Sequence, residues 1–238
     1  MDPLRKTARL AGLLYVVMGL TGAFYLQYIP RALMVRGDAA ATADRILSSE
    51  WLFRLGLAGE LISNVTFILT PLVLYQLFKR VDQRRAALMV IFVLVSIPIS
   101  LAIVITETAA FTLLSGPDYL SVFSDAQRQA LALFFLGLHG QGLYVAEIFW
   151  GLWLLPLGFL TFASGFAPRA IGVLLIPAGV AYVISAFVSL LMPQYGGIVA
   201  TAAVVPEGLG EVPFVVWLFA TRARATAVTS RAPAPSYL

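Results

Sequence analysis

"AIGVLLIPAGVAYVISAFVSLLMPQYGGIVATAAVVP", from Ala170 to Pro206, runs for 37 residues without a charged side chain. A hydrocarbon core roughly 30 Å thick needs about 20 apolar residues to be crossed by a helix. The stretch therefore holds one membrane span, a turn at "MPQYGG" and the start of another span. Leu10–Pro30, Ala86–Thr106 and Ile148–Pro168 are uncharged for 21 residues each. Only 12% of the 238 residues are charged and 60% are hydrophobic, where a soluble domain carries about 25% charged residues. The reading is an all-α, polytopic membrane protein with six spans near residues 10–30, 53–78, 86–112, 129–161, 169–192 and 198–220. Residues 1–221 form one transmembrane domain, and the Pro/Ala/Ser/Thr-rich tail, 222–238, has the composition of a disordered segment.

The net charge of +4 is distributed by topology. One side of the six spans carries Arg5, Lys6, Arg9, Lys79, Arg80, Arg84, Arg85, Arg169, Arg222, Arg224 and Arg231 against two acids, Asp2 and Asp82. The other side balances five bases (Arg31, Arg36, Arg45, Arg54, Arg128) with five acids (Asp38, Asp44, Glu50, Asp118, Asp125). The positive-inside bias predicts that both termini and the 79–85 loop face the cytoplasm of a bacterial inner membrane. These bases mark topology, so nucleic acid is not an expected partner. The basic-then-apolar start resembles a signal peptide. Its apolar run is too long for one, however, and the nearest small-x-small site, Ala41-Thr42-Ala43, lies too far beyond it, so an uncleaved first span is expected.

Local signals set the connections. Asp38 is placed to cap a short surface helix, Ser48 or Ser49 to cap the second span, and Ser124 with Gln127 makes a capping-box pattern before the fourth. Gly116-Pro117-Asp118 reads as a turn, and Pro168 stands near the first position of the fifth span. Ala8/Gly12, Gly19/Ala23 and Gly172/Gly179 have the spacing of close helix contacts.

Five glutamates fall inside the predicted spans: Glu60, Glu107, Glu147, Glu207 and Glu211. The single histidine, His139, and the amides Asn64 and Gln141 join them. An acid at the bilayer centre costs about 2.5–3.5 kcal/mol even on mild insertion scales, so five of them point to a polar interior. Glu60 and Asn64 share a helix face, as do Glu207 and Glu211, both pairs being four residues apart. His139 and Glu147 lie about 12 Å apart along one helix axis and differ by about 80° in azimuth. In "VVPEGLGEVPFVVW" (204–217), Pro206 and Pro213 flank the acids and Gly208 and Gly210 weaken the helix between them. A broken sixth span is expected, since irregular backbone at membrane depth survives where it lines a cavity. Spans two, four and six, with three beside them, would enclose an acidic chamber in the outer half of the membrane. Glu60, Asn64, His139, Gln141, Glu147, Glu207 and Glu211 are its candidate ligand- or ion-binding residues. The competing reading is that protonated glutamates act only as interhelical glue.

Leu131–Phe187, containing the Leu138–His139 pair, Phe149-x-Gly151-Leu152 and "SGFAPRAIGVLL" from Ser164, resembles the bacterial multi-pass membrane proteins of domain-of-unknown-function family 4386. "RKTARLAGLLYVVMGLTG" near the start, "GDAAATADRILSSEWLFRLGLAGELI" and the closing "EVPFVVWLF" extend the resemblance over most of residues 5–220. It implies a six-helix membrane protein without an established activity. His139 and Glu211 match its motifs, and the position of Glu60 often carries an acid there.

Three functions fit. One is a binder whose chamber, with Tyr144, Trp150, Trp153 and Trp217 as candidate lining, holds a small molecule, lipid or quinone. The second is a proton- or cation-coupled transporter, acting as a homodimer or a small channel-like unit. The third is an embedded enzyme using a divalent metal on His139, Glu147 and Glu211, or Glu147 with His139 as an acid–base pair. The absence of cysteine excludes disulfides and thiolate chemistry. The two lysines, Lys6 and Lys79, follow no glycine-rich loop, which excludes a P-loop. Neither lies deep in a span, which excludes a retinal Schiff base. No Gly-x-Ser-x-Gly elbow occurs, and a single histidine excludes bis-histidine haem within one chain.

Overall fold

The computed structural model describes residues 3–221, and the predicted tail lies outside them. Six helical spans are long and apolar enough to cross a membrane: Leu4–Leu33, Glu50–Phe78, Gln83–Ser115, Asp125–Ala163, Arg169–Leu191 and Pro193–Ala220. They coincide with the six expected from uncharged runs, extended at their ends by capped polar turns. We number the α-helices α1 (Pro3–Ala23), α2 (Ile29–Leu33), α3 (Ala39–Ser48), α4 (Glu50–Phe78), α5 (Gln83–Ser115), α6 (Asp125–Ala163), α7 (Arg169–Leu191) and α8 (Pro193–Ala220). A π-helical turn, Phe24–Tyr28, joins α1 to α2 within the first span.

The caps form largely as their sequences indicate. Asp38 accepts from the Ala41 N–H, and Ser124 and Gln127 make both bonds of the capping box. Gly116 closes α5 in the left-handed conformation at φ 62°. Ser49 occupies the N-cap of α4 without a side-chain bond, and Ser48 donates instead to the Arg45 carbonyl.

Two expectations about the sixth span are overturned. "MPQYGG" is not a turn, because α8 begins at Pro193 and Met192 alone connects it to α7. Proline at the first helical position loses no bond it would have made, and buried Gly196 lets the α8 backbone sit against Ser189. Nor is the span broken, since α8 is helical through Pro206, Gly208, Gly210 and Pro213. Hydrocarbon offers no substitute partners for the backbone, so the helix is kept around each proline. The irregular backbone lies in span one. There the Ile29 N–H bonds to the Phe24 carbonyl, five residues back. Pro30 follows at once, and a proline ring crowds the carbonyl four residues before it, here that of Leu26. The widened turn makes room for the ring.

The spans pack in a ring: α1 against α4, then α5, α6, α7 and α8 in chain order, with α8 returning to α1. α3 lies over α4, α5 and α6 at one end. Toward the end holding the 79–82 turn the interior is filled by an apolar cluster including Phe78, Met89, Trp153, Leu157, Leu175 and Phe214. A smaller cluster of Ile29, Ile46, Phe53, Leu113 and Leu136 caps the α3 end. Polar side chains collect between these two clusters.

Candidate functional site

Glu60 on α4 is 1% exposed and reaches across the ring to His139 on α6. His139 Nε2 lies 3.1 Å from Glu60 Oε2 and 3.3 Å from Oε1. The other ring nitrogen, Nδ1, lies 3.4 Å from Glu107 Oε1 on the intervening α5. Three consecutive long helices thus place one imidazole between two carboxylates. A neutral imidazole carries one N–H, so two ionised partners would leave one nitrogen lone pair facing a carboxylate. One further proton, on the ring or on a carboxyl, satisfies both contacts and leaves the triad with a net charge of −1. Ligand atoms of the three side chains lie within 4.8 Å of one another. One imidazole and two carboxylates suit iron, manganese or zinc, and this is where a divalent metal would be held. Tyr25, in the π-helical turn, lies close enough to interact with both carboxylates.

A second polar group forms between α1, α7 and α8. Glu211 accepts from the Tyr182 hydroxyl at 2.8 Å and from the Tyr15 hydroxyl through its other oxygen. Tyr15 is fixed by Trp153 and Phe214, with ring centroids 5.7 and 6.1 Å away. Glu207 lies within electrostatic reach of Glu147 and Glu211, and Glu147 adjoins Ser185.

Both groups border one cavity of about 1030 Å³. Asn64, Glu107, His139, Glu147, Glu207 and Glu211 all line it, while Glu60 stands behind them, fully buried. No lysine or arginine lines it among the described residues. Two of its N–H donors, Asn64 Nδ2 and the Trp150 indole Nε1, are buried without a hydrogen-bond partner among the described residues. Unpaired buried donors are costly and call for an explanation.

A model of the family described as "Domain of unknown function (DUF4386)" matches residues 10–221. The chain belongs to the DUF4386 family. No curated protein and no solved structure matches it. Membership of DUF4386 brings no activity, so chemistry must be argued from the site.

In this DUF4386 protein the predicted polar residues divide between the two groups. His139 is partnered by Glu60 and Glu107, whereas Glu147 and Glu211 lie with the tyrosines. The set His139, Glu147 and Glu211 is therefore not gathered into one ligand group; among the described residues the group of three is Glu60, Glu107 and His139. Gln141 lines a separate hollow of about 300 Å³ beside Ser189 and Pro193. Of the candidate aromatic lining, Tyr144, Trp150 and Trp153 border the large cavity, and Trp217 packs in the apolar cluster instead. Glu107, expected within a span but not among the candidate binding residues, belongs to the triad, and Tyr15, Tyr25, Tyr182 and span one join the site without having been expected there. A tyrosine in mid-span beside an uncompensated glutamate is the signal that would have found them, since a buried hydroxyl needs a partner.

Proposed function

We propose that this DUF4386 protein is an intramembrane binding protein. In this reading a small uncharged or cationic molecule occupies the cavity between α1, α4, α6, α7 and α8. The observation that carries it is the pairing of an acid-lined space of about 1030 Å³ with two buried N–H donors that lack partners among the described residues. Small-molecule sites are concave, largely apolar and carry a few convergent polar groups. An anion would meet carboxylates and, among the described residues, no lysine or arginine. In this reading both termini lie in the cytoplasm of a bacterial inner membrane, an orientation supported by the distribution of bases. Native mass spectrometry of the protein released from lipid nanodiscs tests the reading. We expect a co-purifying organic mass that is lost in Glu211→Gln and Asn64→Leu while the helical signal is retained. An identical spectrum in wild type and both variants contradicts it.

The imidazole between two carboxylates favours a second reading, that the Glu60–His139–Glu107 triad exchanges a proton or a divalent cation as a coupling site for transport or for metal-assisted chemistry. Elemental analysis of the purified protein beside His139→Ala tests it. Metal near one per chain, absent from the variant, supports the metal form; metal content unaffected by the substitution counts against it.

A further inference from the structure

α1 and α8 close the ring where Gly12 meets Phe219 and Leu218, and again where Tyr15 bonds to Glu211. Beyond Tyr15 they part. A Cβ added at Gly19 on α1 or at Gly208 on α8 meets no atom within 4 Å among the described residues. Gly19 is thus a correction to the helix-contact spacing read from Gly19/Ala23: it faces open space. Leu20 and Val204 line the cavity, yet they are 69% and 59% exposed. A side chain that borders a cavity and also faces outward marks a gap in its wall. The apolar stretches of spans one and six are also the least buried, at 22% and 28% against 39–50% for the other four. This gap lies at mid-span, so it opens onto lipid acyl chains.

We infer that the cavity opens sideways into the bilayer between α1 and α8 and takes a long-chain amine, its head among the glutamates and its tail in the gap. The inference rests on the proposed binding function and names the ligand class for that site. The lateral opening selects a tail, because a molecule arriving through hydrocarbon must be apolar over most of its length. The polar groups select the head. Glu147, Glu207 and Glu211 line one cavity, with Glu207 in electrostatic reach of the other two, and an ammonium beside Glu207 relieves like-charge repulsion. Trp150 also lines the cavity, and an aromatic ring attracts a cation placed over its face. Asn64 supplies the observation independent of the acids: it is 6% exposed, lines the cavity, and its Nδ2 has no partner among the described residues. Its amide would be satisfied by a hydroxyl or carbonyl oxygen on the same head. A carboxylate or phosphate head finds no lysine or arginine in the lining among the described residues.

The test uses the full chain in nanodiscs and a hexadecylamine carrying a diazirine near the end of its tail. Photolabelling is mapped by mass spectrometry. We expect labelling of residues 16–23 and 204–216 about tenfold above that at Ile105, a lipid-facing residue of α5, which corresponds to a preference of about 1.4 kcal/mol. Hexadecylamine should compete and hexadecanoate should not. Gly208→Leu and, on the opposite wall, Gly19→Leu fill open space, so both should fold and both should lower labelling to the Ile105 level. Equal labelling around all lipid-facing helices overturns the inference. So does equal competition by hexadecanoate, which would also remove the charge selection from the proposed binding function while leaving a bound ligand. If the probe labels only at background while native mass spectrometry still shows a ligand lost in Glu211→Gln, the amine and the lateral route fail alone. If that ligand is missing too, both readings fail.

Discussion

Glycine does opposite work at the α6–α7 contact and along the cavity wall. Toward the 79–82 turn, a Cβ at Gly172 would lie 2.5 Å from the Phe162 backbone nitrogen and 2.6 Å from the Gly158 carbonyl oxygen. Gly151 and Gly179 press on each other's carbonyls in the same way. There the missing side chain lets α6 and α7 touch through their backbones, which is how helices associate where water supplies no driving force. Along the cavity wall, Gly19, Gly137, Gly140 and Gly208 face open space. Here the missing side chain leaves volume rather than contact. The lesson is that small residues at helix-packing spacing do not distinguish a sealed interface from a chamber wall. Only the neighbour across the gap does.

The comparison can be broken most forcefully at the triad. His139→Ala removes the group between two buried carboxylates, and breaking a buried pair typically costs about 3–5 kcal/mol. We expect a large fall in thermal midpoint, largely restored when Glu60→Gln is added; a variant as stable as wild type would show that the triad holds no charge together. Next in size is the α6–α7 contact. Gly172→Ala forces backbone apart and should cost about 1–3 kcal/mol, read as a lower midpoint in nanodiscs. Gly208→Ala, facing open space, should stay within about 0.5 kcal/mol. If the two alanines are equally harmful, the two regions do not differ as described. Glu211→Gln should cost about 0.5–1.5 kcal/mol, one hydrogen bond's worth, because an amide can still pair with Tyr15 and Tyr182. Smallest in stability is the response to metal. Any divalent ion on the triad must displace its extra proton, so affinity should fall as pH is lowered; titration calorimetry at two pH values checks the direction.

Much of this was legible in the chain. The uncharged runs marked the six spans because hydrocarbon excludes charge from long segments, and Asp38, Ser124 and Gln127 capped as their local sequence requires. That Glu60, His139, Glu147, Glu207 and Glu211 belong to a polar interior was legible from their cost in lipid. Their grouping was not. Helical spacing fixes which residues of one helix share a face, but the meeting of Glu60, Glu107 and His139 depends on α4, α5 and α6 standing side by side. The expected break in α8 does not occur because a helix in hydrocarbon keeps its remaining backbone bonds around proline and glycine, whereas water would supply partners to the freed carbonyls. Pro30, which does perturb its helix, lies at the end of an unremarkable apolar run and carried no signal until the π-helical turn before it was seen.

The native chain has no cysteine, so single-cysteine labelling with N-ethylmaleimide tests the two regions most directly. Asn64→Cys and Gly140→Cys report the cavity, and Leu157→Cys, fully buried in the apolar cluster, reports the dense region. The account predicts that the cavity thiols react at least about tenfold faster than the core thiol in folded protein. Equal rates, or a core thiol that reacts while Asn64→Cys and Gly140→Cys do not, would contradict the existence of an open chamber between the two apolar clusters.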